Sequence, residues 1–124
     1  MRHRATALVA ALASVALVPP VATARPTAIG VGEREWRVSL YRSHVPVGLV
    51  RFNVRNLGED DHDLAVRNRL GDVRARTPEI DPGTTARLTV RLRRPGRFVV
   101  FCSLTGHEEL GMRAVLRVKR RRAR

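Results

Sequence analysis

An all-β sandwich is the fold this sequence predicts, and three observations carry the prediction. Apolar and polar residues alternate over short stretches, Gly and Pro punctuate those stretches, and no long stretch sustains a helical period. Arg25 to Gly32 reads as loose chain or a short first strand. Glu33 to Arg42 reads as one half-buried strand, with Trp36, Val38 and Leu40 facing inward and Trp36 in the core. Ser43 to Gly48, with Pro46 and Gly48, is expected to turn. Leu49 to Arg55 alternates again, with Phe52 and Val54 inward. Leu64 to Val66 and Val73 to Ala75 predict a short strand and an edge segment. Asp81-Pro82-Gly83 is a strong turn signal ahead of Ala86 to Leu92, where Leu88, Val90 and Leu92 face inward. Phe98 to Cys102 is apolar on both faces, and Met112 to Val118 places Met112, Ala114, Leu116 and Val118 on one face.

Not all of the 124 residues belong to this domain. Two arginines in Met1 to Arg4 precede an apolar run to Val18. Pro19-Pro20 breaks the run, and Ala22-Thr23-Ala24 supplies the small residues a signal peptidase reads. Residues 1–24 are therefore expected to be a cleaved signal peptide, too short in its apolar part to span a bilayer comfortably. No cysteine lies near the cleavage site for a lipid anchor. Residues 25–118 form the predicted domain, and 119–124 a disordered basic tail. The expected location is the periplasm, the cell envelope or the medium, and the expected state is a monomer.

The exported part keeps 22 of 24 cations and all 11 acids, a net charge of +11. Nucleic acid is the reflex partner for such a balance. The export signal, the few aromatics available for stacking and the scattering of arginines along alternating strands argue against it. The charge suits contact with anionic envelope material through the body and tail.

The single cysteine, Cys102, excludes an internal disulfide, and a free thiol in an oxidising compartment needs an occupant. It opens the stretch Cys102-Ser103-Leu104-Thr105-Gly106-His107-Glu108-Glu109-Leu110-Gly111-Met112, a C-x4-H-x4-M spacing. A second imidazole stands upstream at His62. Two imidazoles, a thiolate and a weak axial thioether are the set expected of an electron-transfer copper site. Parity supports it: Cys102 shares its facing with Phe98 and Val100, and Met112 shares its facing with Leu116 and Val118. Asn56 is read either as a holder of the His62 loop or as a plain turn residue. His44, beside Pro46 and without partner spacing, is expected to be exposed.

These residues carry a resemblance over nearly all of the exported part. Phe52-Asn53-Val54-Arg55-Asn56-Leu57-Gly58 leading to His62, Pro82-Gly83 before a strand, Pro95-Gly96-Arg97-Phe98 leading to Cys102, and the closing Gly106-His107 and Gly111-Met112 resemble the cupredoxins. This is the type 1 (blue) copper family of plastocyanin and azurin. The loop spacing is most similar to the rusticyanin and sulfocyanin branch. The resemblance implies a Greek-key β-sandwich holding one copper ion. His62, Cys102 and His107 would be equatorial ligands, Met112 the axial one, and His107 the surface exit for electrons. Many members have Asn directly after the first histidine; here it is Asp63, which can accept hydrogen bonds from the second ligand loop but cannot donate them.

The expected function is to carry single electrons between redox partner proteins outside the cytoplasm. The partner would dock through a basic patch, because six of the eleven acids flank His62 and His107. Copper storage or delivery is the alternative, although one enclosed thiolate site suits retention better than release. An enzyme is not expected: beyond the proposed ligands only His44 remains in the exported part, too few for a trinuclear or His3 copper site.

Overall fold

The computed structural model describes residues 14–123. Among them are nine strands: β1 (Thr27–Arg34), β2 (Arg37–Leu40), β3 (His44–Pro46), β4 (Gly48–Asn56), β5 (Ala65–Arg67), β6 (Val73–Arg76), β7 (Thr85–Leu92), β8 (Gly96–Phe101) and β9 (Arg113–Lys119). They form two sheets, ordered β2-β1-β4-β7 and β3-β9-β8-β5-β6. The chain changes sheet after β2, β3, β4, β6 and β7, giving a Greek-key sandwich.

Period-2 patterning decides which faces meet. On β4, Val50, Phe52 and Val54 are buried, and they stand opposite Val90, Leu88 and Ala86 of antiparallel β7. Ile29 and Val31 of β1 continue that inner face beside parallel β4. The second sheet answers with Val66, Phe98, Val100, Leu116 and Val118. Each large side chain buried this way contributes about 1.5–3 kcal/mol relative to exposure. The Asp81–Thr84 turn closes as its sequence predicts: Thr84 N–H donates to Asp81 O at 3.1 Å, and Gly83 takes φ +76°.

Four expectations are corrected. Glu33 to Arg42 is not one strand: the chain reverses at Glu35-Trp36, so β2 folds back on β1 with Arg34 opposite Arg37. That reversal contains neither Gly nor Pro, and alternation reads straight through it. Trp36, placed by it at the end of the sheet, is 38% exposed rather than in the core. Ser43 to Gly48 is not only a turn, because His44 to Pro46 pair in parallel with β9. Lys119 belongs to β9 rather than to a free tail, and Arg121 Nε donates to Val47 O at 3.1 Å.

The expected leader falls outside the described residues over 1–13; residues 14–26 form no strand. Among the described residues no helix is long and apolar enough to cross a membrane. Strand directions gather one end of the sandwich. β1, β4 and β8 finish there, β9 starts there, and the connections 57–64 and 102–112 cross it.

Candidate metal centre

His62 enters this end on the connection after β4. Its backbone makes a two-way bridge with Ile80, N–H to O at 3.3 Å and 2.7 Å. Asn56 holds the same connection: its Nδ2 donates to Asp60 O at 2.7 Å and Ile80 O at 2.8 Å, and its Oδ1 accepts from Gly58 N at 2.9 Å.

Cys102 follows directly on β8. The loop after it closes locally: Cys102 N–H donates to Met112 O and Met112 N–H to His107 O, both at 3.1 Å. His107 N–H donates to Leu104 O at 3.0 Å, and Gly106 turns the chain at φ +82°. The loop's own backbone bonds thus bring Cys102, His107 and Met112 together.

His62 Nδ1 lies 3.2 Å from His107 Nδ1, and Cys102 Sγ lies 3.5 Å from His107 Nδ1. All three donor atoms fall within 4.8 Å of one another. His62, Cys102 and Met112 are fully buried, and His107 is half-buried. The spacing can be tested against a shared ion. Nitrogens about 2.0–2.1 Å and a thiolate sulfur about 2.3 Å from one metal, at near-tetrahedral angles, stand roughly 3.3 Å (N to N) and 3.5 Å (S to N) apart. The His62–His107 and Cys102–His107 separations match. Together with the buried Met112 thioether, the donors fit a copper electron-transfer centre. His44 is exposed on β3 and outside the cluster.

The surroundings of the donors are specific. Burial pushes the Cys102 thiol up to about 11, while hydrogen bonds from backbone groups such as Asp63 N–H, 3.4 Å from Sγ, oppose the rise. A soft cation at this point favours the thiolate outright. Asp63 also joins the two ligand loops: its carboxylate accepts from Ser103 N–H and from the Ser103 hydroxyl. This is the acceptor role that a carboxylate in place of Asn permits.

Two residues at the site escaped the sequence reading. Glu35 Oε1 lies 2.9 Å from His62 Nε2, and Trp36 meets His107 edge to face at 4.9 Å between ring centroids. Neither has a spacing signal, since both reach the site through the unforeseen reversal. A third acid, Glu33, is fully buried on the inner face of β1, and neither of its oxygens finds a hydrogen-bond partner among the described residues. Desolvation, then the Asp63 charge, raise its carboxyl to about 8.

An all-β sandwich with a buried imidazole–thiolate cluster at one end is the class that fold and site define. No family model matches the chain, and no curated protein sequence matches it. Solved structures do. Azurin Az-iso2 from Methylomonas sp. strain J superposes with a TM-score of 0.63 at 18% identity, covering 75% of this chain and 98% of that one. Auracyanin A, a "blue" copper protein from Chloroflexus aurantiacus, gives 0.61 at 16%, covering 77% and 100%. A multicopper oxidase gives 0.57 at 17%, covering 82% of this chain but only 45% of the oxidase. The fold of the chain is the cupredoxin fold.

Proposed function

We propose that the protein is a mononuclear type 1 copper protein that carries single electrons between redox partners outside the cytoplasm. The convergence of His62 Nδ1, His107 Nδ1 and Cys102 Sγ, at separations suited to one ion, carries this reading. When bound, copper would supply a one-electron Cu(II)/Cu(I) couple, and His62, Cys102, His107 and Met112 would hold it, the thioether as the weakest donor. The chain supplies rigidity. Backbone bonds fix the 102–112 loop, Asn56 fixes the 57–64 connection, and Asp63 ties the two together. Ligands held this way change little between oxidation states. His107 is the only ligand that is not fully buried, and exposed Trp36 and Leu110 lie on the Glu35-Trp36 turn and the ligand loop. Electrons would leave there.

The cleavable leader expected over residues 1–24 is what supports action outside the cytoplasm. Acids concentrate at the site end, while Arg69, Arg74, Arg91, Arg93, Arg94 and Arg97 line a groove formed by the 68–74 and 91–98 segments. A basic redox partner at the first end and anionic envelope material against the body and tail follow from that polarity. An oxidase-like activity lacks ligands, since the one remaining described histidine, His44, is exposed and outside the cluster.

The test uses the exported protein loaded with copper. Its mass should place Arg25 at the N-terminus, and its Cu(II) form should show an intense visible sulfur-to-copper band. Cys102→Ser should abolish the band, and Met112→Leu should keep it and raise the potential. A colourless protein whose Cys102→Ser variant binds Cu(II) equally well overturns the reading.

A further inference from the structure

The turn between β1 and β2 touches every segment that carries a proposed ligand. Glu35 Oε1 accepts from Glu59 N–H at 3.0 Å and from Asp60 N–H at 2.9 Å, and the same oxygen meets His62 Nε2 at 2.9 Å. Gly58 makes room for it: a Cβ there would come within 2.2 Å of Oε1. One residue on, Trp36 packs edge-on against His107, and its carbonyl oxygen lies 2.9 Å from where a Cβ on Gly111 would stand. Two consecutive residues therefore brace the His62 connection and both ends of the stretch from His107 to Met112.

Bracing alone would make this turn structural. The imidazole contact makes it more. A carboxylate at Nε2 receives the ring proton there and leaves the Nδ1 lone pair facing Cys102 and His107. It also makes the ring a stronger donor, as outer carboxylates do for metal-bound histidines. Two backbone N–H groups and the imidazole converge on this one oxygen, the donor set that favours an ionised carboxylate.

We propose that Glu35 is a positioning residue for the metal centre, fixing His62 with Nδ1 toward Cys102 and His107 and favouring the higher oxidation state through its charge. This rests on the copper reading. Reduction adds one electron, from an electrode or a donor protein, to Cu(II) to give Cu(I), and no bond in the protein breaks. A negative charge behind His62 stabilises the dipositive ion more than the monopositive one.

Two variants separate geometry from charge. Glu35→Gln keeps an Oε1 acceptor for the same three N–H groups and removes the charge; Glu35→Ala removes both. The first readout needs no metal: nitrogen-15 NMR of the His62 ring in the apoprotein. Wild type and Glu35→Gln should hold the proton on Nε2, and Glu35→Ala should give a tautomer mixture. The second readout is affinity for Cu(II) and Cu(I), each by competition with a chelator. Glu35→Gln should lose at least tenfold in Cu(II) affinity relative to Cu(I), which raises the couple by about 59 mV per tenfold. An unchanged Cu(II)-to-Cu(I) affinity ratio in Glu35→Gln overturns the charge role. A single Nε2–H tautomer surviving in Glu35→Ala overturns the positioning role. A wild type that binds no copper refutes the copper reading and the charge role together, and the metal-free spectrum still decides the positioning.

Discussion

Glu33 offers the most direct check on the packing beneath the site. Its side chain lies on the inner face of β1 beyond Ile29 and Val31, fully buried, with no partner for either oxygen among the described residues. Burial holds the proton on, so the folded protein titrates there near 8 while the unfolded chain titrates near 4.5. Between those values the native state carries a proton that the unfolded state has released. Stability then falls as pH rises, by about 1.4 kcal/mol per unit. From pH 5 to pH 8 the loss is about 4 kcal/mol as an upper bound, because water entry and relaxation soften burial. Against a total stability of about 5–15 kcal/mol this is large. With a urea slope of roughly 2 kcal/mol per molar, the unfolding midpoint should drop by roughly 2 M. Glu33→Gln, similar in shape and never charged, should remove the drop. Urea unfolding of both metal-free proteins at pH 5 and pH 8 reads the effect, and their difference cancels every shared titration. The two should nearly coincide at pH 5, with the variant clearly more stable at pH 8. A variant no more stable than wild type at pH 8 refutes the reasoning.

Asp63→Ala takes the acceptor away from Ser103 N–H and the Ser103 hydroxyl, and should cost about 1–3 kcal/mol in urea unfolding of the metal-free protein. Asp63→Asn, which keeps an acceptor, should cost less; an Ala variant as stable as wild type removes the loop-joining role. At the proposed electron exit, Glu109 is exposed, whereas Glu108 is held by Arg67 in a two-pronged pair at 2.7 and 2.8 Å. Glu109→Gln should therefore slow oxidation by a cationic inorganic complex at low salt and leave it unchanged at high salt. Faster oxidation in Glu109→Gln would reverse the docking polarity.

Cys102, His107 and Met112 were legible because one short loop carries them and closes on itself through its own backbone bonds. Spacing along the chain is then nearly spacing in space. His62 was legible because it follows a cleanly alternating strand, and Asp63 because its neighbour in sequence is a ligand. Glu35 was not legible. Its contact with His62 spans 27 residues and depends on a chain reversal that lacks the residues that normally announce one. The same reversal misplaced Trp36, since a large aromatic in an alternating stretch is most often buried. The β3 pairing was hidden for a related reason: Pro46 and Gly48 signal a turn, and the partner strand lies some seventy residues later.

The acids near the ligands show what such a reading leaves out. In sequence, Glu59, Asp60, Asp61, Asp63, Glu108 and Glu109 form one acidic surround. In the folded chain they do different things. Asp63 accepts from Ser103, and Glu108 is neutralised by Arg67, whose guanidinium also lies 4.2 Å over the Phe101 ring. Glu59 and Asp60 matter through their backbone N–H groups, which converge on Glu35. The carboxylate hydrogen-bonded to the His62 ring is that of Glu35, which no spacing flagged. Charge near a site and charge acting on a site are thus separate quantities here, and only the folded chain distinguishes them. Glu59, Asp60, Asp61 and Glu109 remain to shape the field a partner meets, while Glu35 acts on His62 itself.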